Sequence, residues 1–531
     1  MHWSFKLAED VIARYPNKEE YVVASGISPS GSVHIGNYRE FITNYYVGKA
    51  LKIMGKKVRM IFSWDEFDRM RKVPKNIAQM KTGYEKYIGM PYSLIPDPND
   101  KEENYAKFYE KEFEAALARL SMNEIPVKFI YQAAEYKSKR YNKNIVYALS
   151  KRKEIYDIIT SFKTEKDNPA EDEEGKREEY YPVSIYCETC GHDFTKVIGA
   201  NADFTELTYE CKCGERHTVN VLEATNIKLV WKVDWPMRWR EEGVNFEAAG
   251  IDHHSAGGSY EVATKIAKEI FGIEAPVSVC FAWVGIRGIS SGSMHSSTGV
   301  NITPAQLLGV YEPEMLRWLY AKYYVGDSFD FGFDDTIIRH YGEFDRGVSA
   351  YLSGEPMEEF EKSVYDLCLI ETRKTVNPVS FGTMATVAPI SGFNIKLCAK
   401  TLGLDANDPN FIARFNSVKY WLENYAPEKI YKLLPSFNKE FYLTISDEEK
   451  SVLARLAEFL NNARTEKEIQ EFLYSLINIE GLTKKENQVR QQRFFKVFYN
   501  MLFGRDDGPR LYLFLSASQK DDYLKLLAEH K

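Results

Sequence analysis

The sequence predicts an α/β protein in which a parallel sheet opens the chain, is interrupted by a metal-binding insertion, resumes, and is followed by an all-α region. Three observations carry that prediction. Strand-like, helical and strand-like stretches succeed one another between Tyr21 and Glu66, and that order in so short a span makes a βαβ unit with parallel strands. Four of the seven cysteines cluster between Cys187 and Cys213. The last third repeats apolar residues every three to four positions and shows little alternation.

Bulk properties bound the rest. A chain of 531 residues, 44% hydrophobic and 27% charged, has an ordinary globular composition and room for about three to four domains. No apolar run approaches the roughly 20 residues of a membrane span, and MHWSFKLAEDVIARY reads as an amphipathic helix rather than a signal peptide. A cytoplasmic protein is therefore expected. The net charge of −7 argues against binding nucleic acid through bulk charge and leaves only a local, shaped RNA site.

YVVASGISPSG (Tyr21–Gly31) reads as a buried strand ending in a turn. Ile35, Tyr38, Phe41, Tyr45 and Leu51 then recur with helical spacing until Gly55, and KKVRMIFSWDE supplies the second strand. Ligands of such sheets sit beyond the strand C-termini, where Gly26–Asn37 and Ser63–Asp68 would meet. Regularity falls after Pro91, and Thr164–Glu179 is so charged that it reads as a solvated linker. Strand-like runs resume near Ile227, notably in Ala275–Gly285, and the pattern turns helical from Pro313.

The domain boundaries expected from this pass are 1–95 and 226–300 for the two halves of the sheet domain. The insertion takes 96–225, a helical connection 301–350, and an α-helical domain 351–531.

Cys187, Cys190, Cys211 and Cys213 form two short knuckles twenty residues apart, the donor set of a tetrahedral structural Zn²⁺. A glycine follows each second cysteine, as a tight turn beneath the sulfur requires. His192 and His217 are alternative ligands. Four protein ligands leave no open position, so this metal folds the insertion rather than catalysing. The other three cysteines read as reduced core residues.

In SPSGSVHIGN, His34 and Gly36 stand at a helix mouth, where free N–H groups and a partial positive charge favour phosphate. Taken alone, that pattern is better read as a simple helix cap.

It does not stand alone. The ordered blocks ASGISPSGSVHIGNYRE, SWDEFDRMRKVPKN, YIGMPYSLIPDP, KLVWKVDWPMRW, GIDHHSAGGSY and ITPAQLLGVYEPEMLRWLYA, with FGRDDGPRLY near the end, resemble class I lysyl-tRNA synthetase over nearly the whole length. The resemblance implies a Rossmann-type catalytic domain, a zinc knuckle in the insertion and a C-terminal anticodon-binding domain. It implies a reaction joining lysine to tRNA with ATP and Mg²⁺, and a monomer that binds neither DNA nor membrane.

Residue by residue, His34, Gly36 and Asn37 match the family's first ATP motif and are the expected catalytic residues. Asp252 joins them in ATP binding. Gly26, Ser28, Asp65, Trp231, Asp234 and His253 match the lysine pocket, where carboxylates and aromatic faces suit an ammonium. The related glutamyl enzymes would need basic residues there instead.

The second ATP motif, of Lys-Met-Ser-Lys-Ser type, aligns with the stretch from Ser293 to Gly299. Ser293, Met294, Ser296 and Ser297 are its expected ATP contacts, with Ser293 in place of a lysine. The Gly-Lys-Asp-His or Gly-Arg-Asp-His block reads Gly250-Ile251-Asp252-His253, so a second cation is replaced by Ile251. His295, mostly neutral near pH 7, is a poor replacement; Arg287, Lys232 and Mg²⁺ are candidates to supply the missing charge. The reading adopted is a working lysine–tRNA ligase. The alternatives are a paralogue with lost or redirected activation and a non-catalytic tRNA- or amino-acid-binding protein.

Overall fold

The computed structural model describes residues 1–121, 124–162, 173–287, 302–371, 373–462 and 464–528. The chain divides into two compact units. One comprises 1–308, 313–331 and 356–373, and the other 309–312, 332–355 and 374–531.

The first unit is built on a parallel sheet. Strands β1 (Tyr21–Ile27), β2 (Val58–Trp64) and β3 (Val127–Tyr131) pair in that order, with Gly26 opposite Ser63 and Trp64 opposite Tyr131. On the other side of β1 the chain returns at 245–250. The Ala24 amide donates to the Phe246 carbonyl at 2.9 Å, and Glu247 donates to Val277 O at 3.1 Å. Ala249 and Gly250 pair in parallel with Cys280 and Phe281. The sheet therefore runs β3, β2, β1, 245–250, 277–281: it grows one way from β1 and then the other, which makes β1 and 245–250 the topological switch point. β3 lies within the stretch expected to be insertion.

Helix α1 (Trp3–Arg14) buries Trp3, Phe5, Ala8 and Val11, one apolar face at helical spacing. Helix α2 (Ile35–Ile53) follows β1 and is buried along most of its length. It is sandwiched rather than amphipathic, and its four tyrosine and phenylalanine rings, Tyr38, Phe41, Tyr45 and Tyr46, are correspondingly core residues.

The insertion is a three-stranded antiparallel sheet, Thr195–Ala200, Glu206–Cys211 and Arg216–Asn220, tethered by the pair Val183–Ile185 and Ile227–Leu229. Its Leu207, Tyr209 and Val219 share one apolar core with Phe67, Tyr136, Val233 and Met237. The charged linker is in part a helix, Glu173–Glu179, with Arg177 paired to Asp157 at 2.7 Å.

The second unit contains helices and no strand among its described residues. Helices Thr336–Ser353, Phe381–Ile390 and Pro409–Asn424 meet around Arg414, whose side chain is fully buried. Its guanidinium binds Glu312 at 2.7 Å, both oxygens of Asp345 at 2.8 and 2.9 Å, and Val379 O at 2.8 Å. Removing such a partner strands buried carboxylates, so Arg414→Ala should cost about 3–5 kcal/mol. Denaturant unfolding followed by far-UV circular dichroism should show it. A loss under about 1 kcal/mol would mean water replaces the guanidinium without penalty.

Candidate active site

A pocket opens at the switch point. Ala24, Ser25 and Gly26 of β1, Ile61 and Ser63 of β2, and Glu247–Ala249 form its floor. Gly26 is dictated by close packing, because a Cβ there would lie 2.9 Å from the Ser63 carbonyl oxygen. One wall is the helix Trp231–Glu242, whose Trp231, Trp235 and Trp239 recur every four residues and so share one face. Trp231 and Trp235 stack with centroids 5.0 Å apart at 19°, and His253 meets the Trp235 ring edge-on at 5.7 Å.

Behind this wall lies a buried ion cluster. Arg238 donates to Asp65 at 2.7 Å and to Asp234, one turn earlier on its own helix, at 2.6 Å. The guanidinium also lies over the Trp231 ring at 5.2 Å. Tyr136 donates its hydroxyl proton to the second oxygen of Asp234. Burial pushes the Asp65 carboxyl up, and Arg238 opposes that. Ser28 donates to Asp68 at 2.7 Å, and Asp68 is ion-paired with Lys228. Burial disfavours the Asp68 carboxylate, but Lys228 and the two hydrogen bonds outweigh it and hold its pKa below the ordinary value.

Of the residues expected around lysine, Gly26, Asp65, Trp231 and His253 line the pocket. Asp234 does not: it is fully buried with both oxygens engaged, so it anchors Arg238 instead of facing a ligand. Ser28 turns its hydroxyl to Asp68 rather than to the floor.

Sequence reasoning passed over Arg238, Trp235, Trp239, Glu40 and Glu247. The four-residue spacing of the tryptophans was a readable signal. The two glutamates gave none, being single acidic residues far apart in the chain. Glu40 accepts from Ser25 Oγ at 3.0 Å and from the Gly26 amide at 3.2 Å. Glu247 accepts from the indoles of Trp235 and Trp239 at 3.1 and 2.6 Å. Burial pushes Glu40 up to about 8 and Glu247 up to about 7, against the lowering effect of these donors.

At the mouth of α2, His34 is the N-cap. Its Nδ1 accepts from the Gly36 amide at 3.1 Å, while Asn37 Oδ1 accepts from the His34 amide at 3.2 Å, a closed capping box. An accepting Nδ1 places the ring proton on Nε2, which is the donor such a ring offers a phosphoryl oxygen. The residues expected to meet phosphate are thus the ones that form the helix cap.

Asp252 is exposed, and its Oδ1 folds back to within 2.6 Å of where a Cβ of Gly250 would stand. Ile251 is 49% exposed at the head of the short helix Ile251–His254. Ser293, Met294, His295, Ser296 and Ser297 lie outside the described residues. Arg287 is exposed at the end of the strand Val284–Ile286 and Lys232 is half-buried on the tryptophan helix; neither has an ion pair among the described residues.

The Sγ atoms of Cys187, Cys190, Cys211 and Cys213 all lie within 4.8 Å of one another. The separations of 3.8 Å for Cys187–Cys213 and 3.6 Å for Cys190–Cys211 match the about 3.8 Å edge of a tetrahedron with Zn–S bonds of about 2.3 Å. Gly191 and Gly214, after the second cysteine of each knuckle, have φ of +74° and +96°, a region that glycine enters without penalty. His192 lies against the carbonyls of Cys190 and Lys86, and His217 against Thr189, so the cysteines cluster without either histidine.

A doubly wound sheet with a capped helix mouth and an aromatic, acidic pocket at its switch point defines an α/β protein built to hold a small polar ligand. A family model described as "tRNA synthetases class I (K)" matches residues 1–371. Proteins named lysine--tRNA ligase are similar over the whole length. That of Borrelia garinii subsp. bavariensis is 32% identical over 539 residues, covering 100% of this chain and 99% of its own. That of Streptomyces coelicolor is 33% identical over 578 residues (99% and 98%), and that of Pyrococcus horikoshii 31% over 541 residues (99% of each). The chain belongs to the class I lysyl-tRNA synthetase family.

The cysteine geometry predicts about one zinc per chain by elemental analysis. Stripping the metal with a chelator should raise amide exchange across 195–220 by about 100-fold or more, since binding energy there is folding energy. Protein purified without chelators yet nearly free of zinc would end the assignment.

Proposed function

We propose that this protein is a lysine–tRNA ligase of class I type. It joins lysine and ATP into lysyl-adenylate with release of pyrophosphate, then passes the lysyl group to the terminal ribose of a tRNA. The observation that carries this reading is the switch-point pocket, whose aromatic and acidic wall suits a cationic aliphatic side chain, in a chain aligned end to end with proteins named lysine--tRNA ligase.

Activation is an in-line displacement. A lysine carboxylate oxygen attacks the α-phosphorus of ATP, and the bond from that phosphorus to the β-phosphate bridging oxygen breaks. No covalent enzyme intermediate and no general base are needed, so the protein supplies position and charge. The amides and His34 Nε2 at the mouth of α2, with Gly36 and Asn37, receive the triphosphate that arrives with Mg²⁺. By the resemblance, Asp252 and the second ATP motif residues Ser293, Met294, Ser296 and Ser297 complete the ATP contacts. Gly26, Asp65, Trp231 and His253 seat the amino acid, while Ser28 and Asp234 brace the wall through Asp68 and Arg238. Zinc holds the insertion and takes no part in the chemistry. The C-terminal helical unit is the candidate partner for the tRNA anticodon.

One observation favours a second reading, a paralogue with weakened or redirected activation. Ile251 is an exposed apolar side chain beside the pocket, where the resemblance calls for a cation, and Ser293 replaces another. Each such cation contributes about 10²–10³ in rate, by analogy with single stabilising donors.

Lysine-dependent ATP–pyrophosphate exchange, with and without tRNA, separates the readings. Exchange followed by tRNA charging is expected. Exchange without charging selects the paralogue, and none under either condition defeats the ligase. If the missing cations limit the rate, Ser293→Lys combined with Ile251→Lys should raise exchange roughly 100-fold or more. An unchanged or lower rate would mean another group already clamps the phosphates.

A further inference from the structure

The carboxylates around the pocket are unequally compensated. Asp65 and Asp234 share Arg238, and Asp68 has Lys228. Glu242, also in the wall, pairs with Arg59 at 3.3 Å and Arg140 at 2.6 Å. Glu40 and Glu247 alone among these carboxyls are held only by neutral donors: a serine hydroxyl and an amide for one, two indoles for the other. A buried carboxylate without a cation is costly. In an empty pocket these two are the groups that lack a counter-charge.

Their geometry is also one-sided. Both indoles donate to Oε2 of Glu247, and both donors to Glu40 fall on its Oε1. Each residue lines the pocket, so each keeps one oxygen without a hydrogen bond among the described residues. Lysine brings two ammonium groups to such a cavity, separated by five carbons (Cα and the four side-chain methylenes). Glu40 sits on α2 beside Gly26, near the helix mouth where the reacting carboxylate and its α-ammonium belong. Glu247 is held by the indoles of Trp235 and Trp239, in a pocket that Trp231 also lines, and tryptophan faces suit an aliphatic chain and a cation at its end.

We propose that Glu247 is the specificity-determining residue of the pocket, receiving the ε-ammonium of the amino acid on its free oxygen, with Glu40 receiving the α-ammonium. This rests on the lysine reading above and assigns the roles to residues that reading had left out. The two indole donors hold one carboxylate oxygen, Arg238 acts on the group only at a distance, and no cation pairs with it among the described residues. A neutral chain of equal length leaves Glu247 protonated or unpaired. Lysine binding therefore expels a proton from Glu247. The other charged or titratable groups facing it are Arg238 of the tryptophan helix, Asp65 after β2, Glu40 of α2 and His253.

Calorimetric binding of lysine and of norleucine, its isostere without the ε-ammonium, tests this on the full chain without ATP or tRNA. Glu247→Gln keeps an acceptor for the indoles but removes the charge. It should weaken lysine at least about 30-fold, the usual cost of breaking a buried charged pair, and leave norleucine within about threefold, which also shows that the variant is folded. Glu40→Gln should weaken both ligands. In the unmodified protein the preference for lysine over norleucine should rise from pH 6 to pH 8, since burial holds Glu247 near 7 while Glu40, near 8, acts on both ligands alike. Glu247→Gln should flatten that rise in preference. The assignment is overturned if the unmodified protein does not prefer lysine to norleucine. It is also overturned if Glu247→Gln binds lysine as before or loses both ligands equally. Lysine binding with this pattern but no pyrophosphate exchange would defeat the ligase reading and leave Glu247 in its role.

Discussion

The clamp on Arg238 is the constraint around which the pocket is organised. One guanidinium joins the end of β2, through Asp65, to the tryptophan helix, through Asp234, and reaches the helix Gln132–Lys137 through the Tyr136 hydroxyl. Its flat face rests on Trp231, so the same group that neutralises the carboxylates also sets the first indole of the wall. The i,i+4 geometry of a helix then places Trp235 and Trp239 in line. A bidentate, planar cation is needed, and a lysine ammonium would hold one carboxylate without supplying a face for stacking.

That clamp also decides where charge is left over. Burying several carboxylates is tolerable only when each finds a cation or enough donors. The protein meets the requirement internally for Asp65, Asp68, Asp234 and Glu242. It meets it with neutral donors for Glu40 and Glu247, whose carboxyls burial pushes up to about 8 and 7. The result is a rigid, compensated shell around a small under-compensated interior. Such an interior discriminates by charge more than by shape, and shape alone separates neighbouring chain lengths poorly.

Much of this was legible from residue order. The βαβ start, the four cysteines, the glycines beneath their sulfurs and the helical end all follow from periodicity and spacing, which report local structure. His34, Gly36 and Asn37 were legible because cap chemistry is local. The roles of Asp234 and Ser28 were not. Both types suit a ligand wall, and only the positions of Arg238, Tyr136 and Asp68 show that their polar atoms are already engaged. Glu40 and Glu247 were invisible for a related reason: a lone glutamate carries no signal until the fold removes it from water.

What the sequence determined by itself is therefore the order of layers, the four-cysteine cluster and the family, because each rests on a short-range pattern or on many blocks in register. It also determined the departures at Ile251 and Ser293, which are matters of identity and not of position. The tertiary structure alone decided that β3 joins the sheet from within the expected insertion. It alone decided which carboxylates spend their charge on Arg238 and Lys228 and which are held by neutral donors. Charge compensation is a three-dimensional sum over neighbours drawn from distant parts of the chain. No window of sequence contains that sum.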